Sequence, residues 1–418
     1  MFKFDENIHE SNVPVKYVFE EGHLHKKHLV VVFAGFHDAN ANPPYKYNYI
    51  RSLRNIDCHR LFILDNYGPR GCYYIGGNGS CEFETSVNSL IMSISRKYDI
   101  RPENIITAGS SKGGSAALYY GLKYNYGSII AGAPQTRIAD YVGKFAKETS
   151  DYMLGENPSE EKVAWLNNII SVQLNHEILS DIYILTSEND SQYSKHIKPF
   201  QNEMDSKGIK YHMDVDNNIQ HHNDIAGHFP DYLYKNLLQI MHGIKIRKLS
   251  INKNGDNRLI QTQLETETMV TSKIVIKHED TILSEMPING QLEFNITNLK
   301  IKGTKVLDIA LVIEKSGNNV LTIPIETFLS SNGNVLRGVS LDVKDDNLKF
   351  QIDIDRSSDL EYAFYIRRNN AVIEKIMYQP SNTLEYPISD KGNYQIHYFI
   401  RSKKEKVKYS NRSQMVKI

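Results

Sequence analysis

Residues 104–121 read NIITAGSSKGGSAALYYG. An apolar, β-branched run (Asn104 to Gly109) leads through a knot of glycine and serine into an alanine-rich stretch. The first part has strand character and the last part helix character. The five residues between, Gly109-Ser110-Ser111-Lys112-Gly113, fit G-x-S-x-G. That pattern, placed between a strand and a helix, marks a sharp turn that lifts the serine oxygen at the carboxyl edge of a sheet. Such a turn forces strained backbone angles on the serine, and small neighbours make room for it. The helix start behind it offers free N–H groups and a favourable dipole for a developing oxyanion. A phosphate-binding loop is the competing reading, but the upstream glycine and the G-K-[ST] order are missing. Ser111 is therefore the candidate nucleophile. Lys112 contributes its backbone N–H, and its ammonium is expected to be a solvated charge at the helix start.

Working outward, apolar runs alternate with helical stretches. HLVVVFAGF (28–36), RLFILDNYG (60–68), SIIAGAP (128–134), DIYILTSEND (181–190) and IKYHMDV (209–215) are expected strands. Residues 83–98 form an expected helix with Val87, Leu90, Ile91 and Ile94 on one face, and 231–241 a closing helix. Near-continuous apolar strands alternating with helices predict a mostly parallel sheet covered on both faces. After about residue 243 the pattern changes to period-two runs separated by turn signals: 272–278, 306–314, 349–355 and 394–400. This part also repeats itself. LSINKNGDNRLIQTQL from Leu249 aligns with VSLDVKDDNLKFQIDI from Val339, pairing Ser250 with Ser340 and Asp256 with Asp346. Two tandem β-sandwiches of immunoglobulin or fibronectin-III size follow, with expected boundaries 1–245, 246–335 and 336–418. A single irregular β-domain is the alternative.

A serine needs a base, and the base an orienting acid. Chains with this turn present them in the order serine, acid, histidine. Past the fifth strand, Asp190 is preferred and Glu188 stands second; Asp190 is also a plausible N-cap for the next helix. Past the sixth strand lie His221, His222 and His228, with His222 ranked first and His228 its competitor. A zinc site on these three lacks an H-E-x-x-H spacing or a nearby cysteine, so no metal is expected. The second oxyanion donor is expected from FAGFHD: the N–H of Phe36, with Gly35 allowing close approach. The loop GPRGCYYIGGNG (68–79) either lines a pocket, with Arg70, Tyr73 and Tyr74 touching substrate, or is fixed by packing. Asp65 and Trp165 receive no role.

Across all 418 residues, 49 basic residues balance 49 acidic ones. No net field draws the chain to nucleic acid or an anionic membrane. The start MFKFDENIHE lacks a basic region and an apolar core, and no run is apolar enough to span a bilayer. A soluble cytoplasmic protein is expected, at most peripheral at the inner face of the membrane. Three cysteines, Cys58, Cys72 and Cys81, make neither a disulfide framework nor a zinc pair. The cluster His23, His25 and His28 is expected at the surface.

Together, GSSKGGSAALYYGLKY, GPRGCYYIGGN, AGAPQ, TSENDSQY and HHNDIAGHFPDYLYKNL resemble one bacterial family over roughly residues 30–241. It is the α/β-hydrolase-fold family of accessory Sec system acetyltransferase-like proteins and related capsular polysaccharide biosynthesis proteins. The resemblance implies a Ser-Asp/Glu-His site on Ser111, Asp190 or Glu188, and His222. It implies O-acyl transfer or ester hydrolysis, with an O-acetyl group foremost, on a surface glycan or glycoprotein. No cofactor is expected beyond an acyl donor serving as co-substrate if the protein is a transferase. The two β-modules lie outside the match and are candidate contacts for protein partners. A non-catalytic binding component of a polysaccharide or secretion assembly is the alternative.

Overall fold

The computed structural model describes residues 5–23, 25–36, 45–266, 269–315, 318–355, 358–369 and 371–418. The chain divides into two compact units, Met1–Lys245 and Ile246–Ile418.

The first unit is built on eight strands: β1 (Glu6–His9), β2 (Val15–Glu20), β3 (His25–Phe33), β4 (Cys58–Ile63), β5 (Ile105–Ser110), β6 (Ser128–Gly132), β7 (Asp181–Thr186) and β8 (His212–Val215). They form one sheet in the order β1-β2-β4-β3-β5-β6-β7-β8. From β4 to β8 every pairing is parallel; β1 and β2 run antiparallel at one edge. This is the α/β-hydrolase order, with helices on both faces. The helices are α1 (Glu82–Lys97), α2 (Lys112–Tyr124), α3 (Ile138–Phe145), α4 (Lys147–Leu154), α5 (Glu160–Asn168), α6 (Lys198–Ser206) and α7 (Ile225–His242). Every residue of β4, β5 and β6 is buried, as strands covered on two faces require. Helix α1 buries Val87, Leu90, Ile91 and Ile94, the face its spacing predicts.

Sequence expectation and structure part company at the margins. The edge strands β1 and β2 have no counterpart in the expected set; β1 is exposed along most of its length, so it lacks the apolar run that identifies the inner strands. Strand β8 is shorter than the expected 209–215. The closing helix starts at Ile225 and carries Pro230 inside it, a residue that normally signals a helix boundary.

In the second unit the same arrangement occurs twice. Ile244–Asn254, Asn257–Thr266 and Gln291–Asn295 make a three-stranded sheet. Facing strands run in the order Thr281–Pro287, Thr271–His278, Thr304–Lys315, Asn318–Ser331 and Asn334–Val335. The later copy sets Gly338–Lys344, Asn347–Asp353 and Thr383–Pro387 against Ala371–Gln379, Leu360–Arg368, Asn393–Ser402 and Lys408–Arg412. In each copy the first, second and fifth strands form the small sheet, and the fourth, third, sixth and seventh the larger one, as in fibronectin-III sandwiches. The aligned Asp256 and Asp346 fall in the turn between first and second strands of each copy. After the exposed Asn393, strand Asn393–Ser402 alternates between buried and half-buried side chains, the period-two pattern of a strand with one face in the core. The copies are joined rather than strung apart. Glu405 accepts the Thr304 N–H at 2.5 Å. Arg337 reaches Asp256 at 3.4 Å, and Leu329 and Leu336 complete the later core around Phe350.

Candidate active site

Ser111 occupies the single residue between β5 and α2. Its backbone is strained, with φ 54° and ψ −122°. A serine in this region costs on the order of 1–3 kcal/mol and persists only where its surroundings over-determine it. Here they do. The Ser111 N–H donates to the Gly132 carbonyl of β6 at 2.7 Å. A Cβ on Gly109 would collide with the Gly113 backbone, and one on Gly113 with the Phe33 carbonyl of β3. The glycines are thus demanded by the close approach of α2 to the strands.

Ser111 Oγ lies 2.8 Å from His222 Nε2. His222 Nδ1 lies 2.7 Å from Asp190 Oδ2. The histidine is 111 residues from the serine in the chain, so the loops after β7 and β8 must be brought together. Several bonds do this. Ser187 Oγ donates to the Ile219 carbonyl at 2.7 Å, and Asn189 Nδ2 to the Asn217 carbonyl at 3.4 Å. Asp224 accepts the N–H groups of Gln220 and His221 at 3.1 and 2.9 Å, closing the short turn that carries His222. Asp190 is 3 % exposed and uses both oxygens: Oδ1 accepts the Gln192 N–H at 2.8 Å while Oδ2 faces the imidazole. The expected N-cap role passes to Gln192, the residue before the next helix; Asp190 instead closes the turn ahead of it while orienting the histidine.

The other candidates lie elsewhere. Glu188 is exposed. His221 caps the turn before α7. His228, on α7, pairs through Nδ1 with Asp216 Oδ2 at 2.8 Å. Among the described residues no three His, Cys, Asp or Glu side chains group as metal ligands. Burial holds the thiols of Cys72 and Cys81 above the usual range and that of Cys58 up to about 12. His23 is exposed and His28 half-buried, while the side chain of His25 lies outside the described residues.

The backbone N–H groups of Phe36 and Lys112 have no acceptor among the described residues. Gly35, beside Phe36, is anchored by its N–H to Asn48 Oδ1 at 3.1 Å. Lys112 corrects the expectation of a solvated ammonium. Its side chain is 2 % exposed and pairs with Asp65 Oδ2 at 2.7 Å, Asp65 itself being fully buried. The ammonium lies 5.2 Å from the Phe36 ring centre and 5.4 Å from that of Tyr74. Both Asp65 oxygens also accept the Cys72 N–H at 3.0 Å. The helix-start charge is thus folded inward against the loop after β4.

Tyr73 and Tyr74 are a second correction. Both are buried, not at a pocket rim. The Tyr74 hydroxyl accepts the Ala34 N–H at 2.6 Å and donates to the Ile63 carbonyl at 2.9 Å. The Tyr73 hydroxyl donates to Gln135 Oε1 at 2.5 Å. Aromatic bulk drew them into the core, where their hydroxyls tie loops together. Arg70 remains half-buried, with its guanidinium 5.3 Å from the Phe36 ring centre. Residues around the serine that composition alone does not single out are Asn48, Tyr49, Gln135 and Tyr141. Tyr49 lies 2.5 Å from Ser110 Oγ through its hydroxyl. Gln135 closely follows β6, at the same sheet edge as Ser111; that position, and its place at the end of the AGAPQ motif, are the signals in the sequence.

Known proteins share sequence or fold with this chain. It is 31% identical over 122 residues to an accessory Sec system protein of Staphylococcus aureus. The expected resemblance is met. The match takes in 29% of this chain and 22% of that protein, so the chain spans under a quarter of the curated relative's length. No family model matches. The capsule O-acetyltransferase of Neisseria meningitidis serogroup A is 26% identical, with TM-score 0.47, over 54% of this chain and 91% of that one. The fluorophosphonate-binding serine hydrolase FphF of S. aureus is 8% identical, with TM-score 0.44, over 57% and 98%. Among the described residues no helix is long and apolar enough to cross a membrane.

Proposed function

We propose that the protein is a serine-dependent O-acyltransferase or esterase of the α/β-hydrolase type, working on an O-acetylated or acetyl-accepting bacterial surface polysaccharide or glycoprotein. The observation that carries this reading is the unbroken chain Ser111–His222–Asp190 on a strained, glycine-packed turn. Ser111 Oγ attacks the ester carbonyl as His222 Nε2 takes its proton. Asp190 holds the imidazole in the tautomer that leaves Nε2 free to accept. The oxyanion is met by the N–H groups of Lys112 and Phe36, each such donor contributing about 3 kcal/mol. Collapse breaks the carbonyl–oxygen bond to the leaving group, which receives the proton from His222. Water or a sugar hydroxyl then gives its proton to His222, attacks the acyl carbon and releases Ser111. The same residues serve both outcomes; the acceptor and the exclusion of water select between them.

The relatives' names, an accessory Sec protein and a capsule O-acetyltransferase, favour a surface glycan or glycoprotein as the acceptor. The tandem sandwiches suit contacts with partner proteins. No resident cofactor or metal enters this mechanism. The test is a fluorophosphonate probe on wild type and Ser111→Ala, followed by acetyl donors with O-acetylated glycans, reading acetate release against transfer. Labelling that depends on Ser111 supports the enzyme. A folded wild type that takes no label supports the binding-component reading instead.

A further inference from the structure

His222 is not the only side chain on the Ser111 hydroxyl. Gln135 Nε2 lies 3.1 Å from Ser111 Oγ, and Gln135 is fully buried. Its Oε1 accepts from the buried Tyr73 hydroxyl at 2.5 Å. That leaves the NH₂ end toward Ser111. Its backbone is fixed as well: Ser115 Oγ accepts the Gln135 N–H at 2.8 Å and lies 3.0 Å from its carbonyl oxygen. The Tyr141 hydroxyl also lies at this amide; burial pushes its pKa up, and hydrogen bonds from Gln135 and Gln192 pull it back.

An amide nitrogen carries two hydrogens and offers no lone pair, so toward Ser111 it can only donate. The hydroxyl hydrogen of Ser111 is then left for His222 Nε2, the direction general-base catalysis needs. We propose that Gln135 is a further catalytic residue, a donor to Ser111 Oγ, and that Tyr73 is the residue that positions it. This rests on the serine-enzyme reading above.

The donor acts unequally on the two half-reactions. In acylation Oγ is the nucleophile: the Oγ–carbon bond forms, the bond to the leaving oxygen breaks, and the proton passes from Oγ through Nε2 to that oxygen. In deacylation the acceptor oxygen bonds to the acyl carbon and the Oγ–carbon bond breaks. The proton passes from the acceptor through Nε2 to Oγ. There Oγ departs with developing negative charge, which a donor in a dry site stabilises. Removing the donor therefore slows deacylation more than acylation, most visibly with an activated ester whose leaving group needs no proton.

The experiment compares wild type, Tyr73→Phe and the double variant Tyr73→Phe/Gln135→Leu with p-nitrophenyl acetate. Burst kinetics separate the half-reactions, intact-protein mass follows the acetyl adduct, and thermal unfolding checks the fold. The double variant removes both partners of the Tyr73–Gln135 bond, while the Tyr141 hydroxyl keeps Gln192 and the Ser111 hydroxyl keeps His222, so no buried polar group is orphaned and the fold survives. The expected result is a fall in deacylation of about tenfold to a hundredfold, the range of one buried hydrogen bond in a transition state, with acylation reduced less and the acetyl adduct accumulating on Ser111. Tyr73→Phe alone shows a smaller fall in the same step. Equal loss in both half-reactions, or an unchanged partition in a wild type that does react, overturns the Gln135 inference alone. A folded wild type with neither burst nor fluorophosphonate label overturns the enzyme reading and this inference with it.

Discussion

The two units place their unusual backbone angles differently. In the sandwiches, described non-glycine residues with positive φ are Glu279, Lys300, Asn332, Asp345, Asp346 and Asn369. All sit between or beside strands, and four of the six are Asp or Asn at hairpin turns, which accept such angles at small cost. In the α/β unit the set includes Tyr49, Tyr73, Tyr74, Ser111 and Ala133; the three tyrosines are bulky residues for which that region is a true outlier. Several of these side chains converge on one sheet edge: Tyr49 on Ser110, Tyr73 on Gln135, and Tyr74 on the strand end before Phe36. In the sandwiches strain turns the chain around; in the α/β unit it does so at Asn78, Asp99 and Asn125 too, and part of it also gathers at the sheet edge that carries Ser111. Buried charge follows the same division. Arg258 is buried in the first sandwich, where Glu326 takes its Nε at 2.8 Å and the Gly255 carbonyl its NH1 at 2.9 Å; it locks a hairpin. Lys112 and Asp65 lock the turn that carries the candidate nucleophile.

The sharpest way to break this contrast is at the serine. Ser111→Ala and His222→Ala should each lower turnover at least about a thousandfold with melting temperature unchanged; steady-state kinetics beside calorimetry checks it. A loss below tenfold would put the converging strain to some other use. Next comes buried charge. Lys112→Met removes the only cation paired with the buried Asp65 carboxylate among the described residues, and chemical denaturation should show a loss of about 3–5 kcal/mol. Adding Asp65→Asn should return part of it, since an amide oxygen still accepts the Cys72 N–H. Arg258→Met should cost less, because Lys253 still pairs with Glu326 at 2.7 Å, and should leave fluorophosphonate labelling of Ser111 as fast as in wild type.

A third measurement uses pH. Burial holds the His196 imidazole down to about 4; the carboxylates of Asp140 and Asp190 draw it up, and Arg137 and His222 push it down. The Arg137 N–H donates to its Nδ1 at 3.3 Å, which requires the neutral ring. Above pH 6.5 the ring is neutral folded and unfolded, and adds no pH dependence. As pH falls below 6.5 the unfolded chain takes the proton first, so stability drops until about pH 4, by up to about 3 kcal/mol. His196→Asn, which still offers an acceptor to Arg137, should flatten that part of the stability–pH curve; identical curves would show the ring is protonated in the fold. The smallest effect belongs to the surface. Arg101 and Glu103 form an exposed pair at 3.6 Å, and Glu103→Gln should leave the melting temperature where it was.

Much of this was legible in the chain. The inner strands β3 to β7 announce themselves because burial on two faces demands unbroken apolar runs. The elbow is local: strand, glycines, serine and helix are adjacent residues, so sequence order is spatial order. The repeat from Leu249 and Val339 is likewise local, each copy folding its own hairpin around an aspartate. The preference for Asp190 and His222 came from chain order, which ranks candidates by strand end but leaves Glu188 and His228 in contention.

The rest was decided by long-range packing. Glu188 and Asp190 are two residues apart, and only the turn after β7 sends one into the interior and the other into solvent. Lys112 reads as a charge at an exposed helix start; Asp65, 47 residues earlier, turns it inward, and no local pattern encodes that pairing. Tyr73 and Tyr74 look like a substrate-facing rim until the core claims their rings. The physical reason is the same throughout. Periodicity and turn chemistry act over a few neighbouring residues and fix elements, whereas the partner of a buried polar group is chosen by whichever distant segment the sheet brings within about 3 Å.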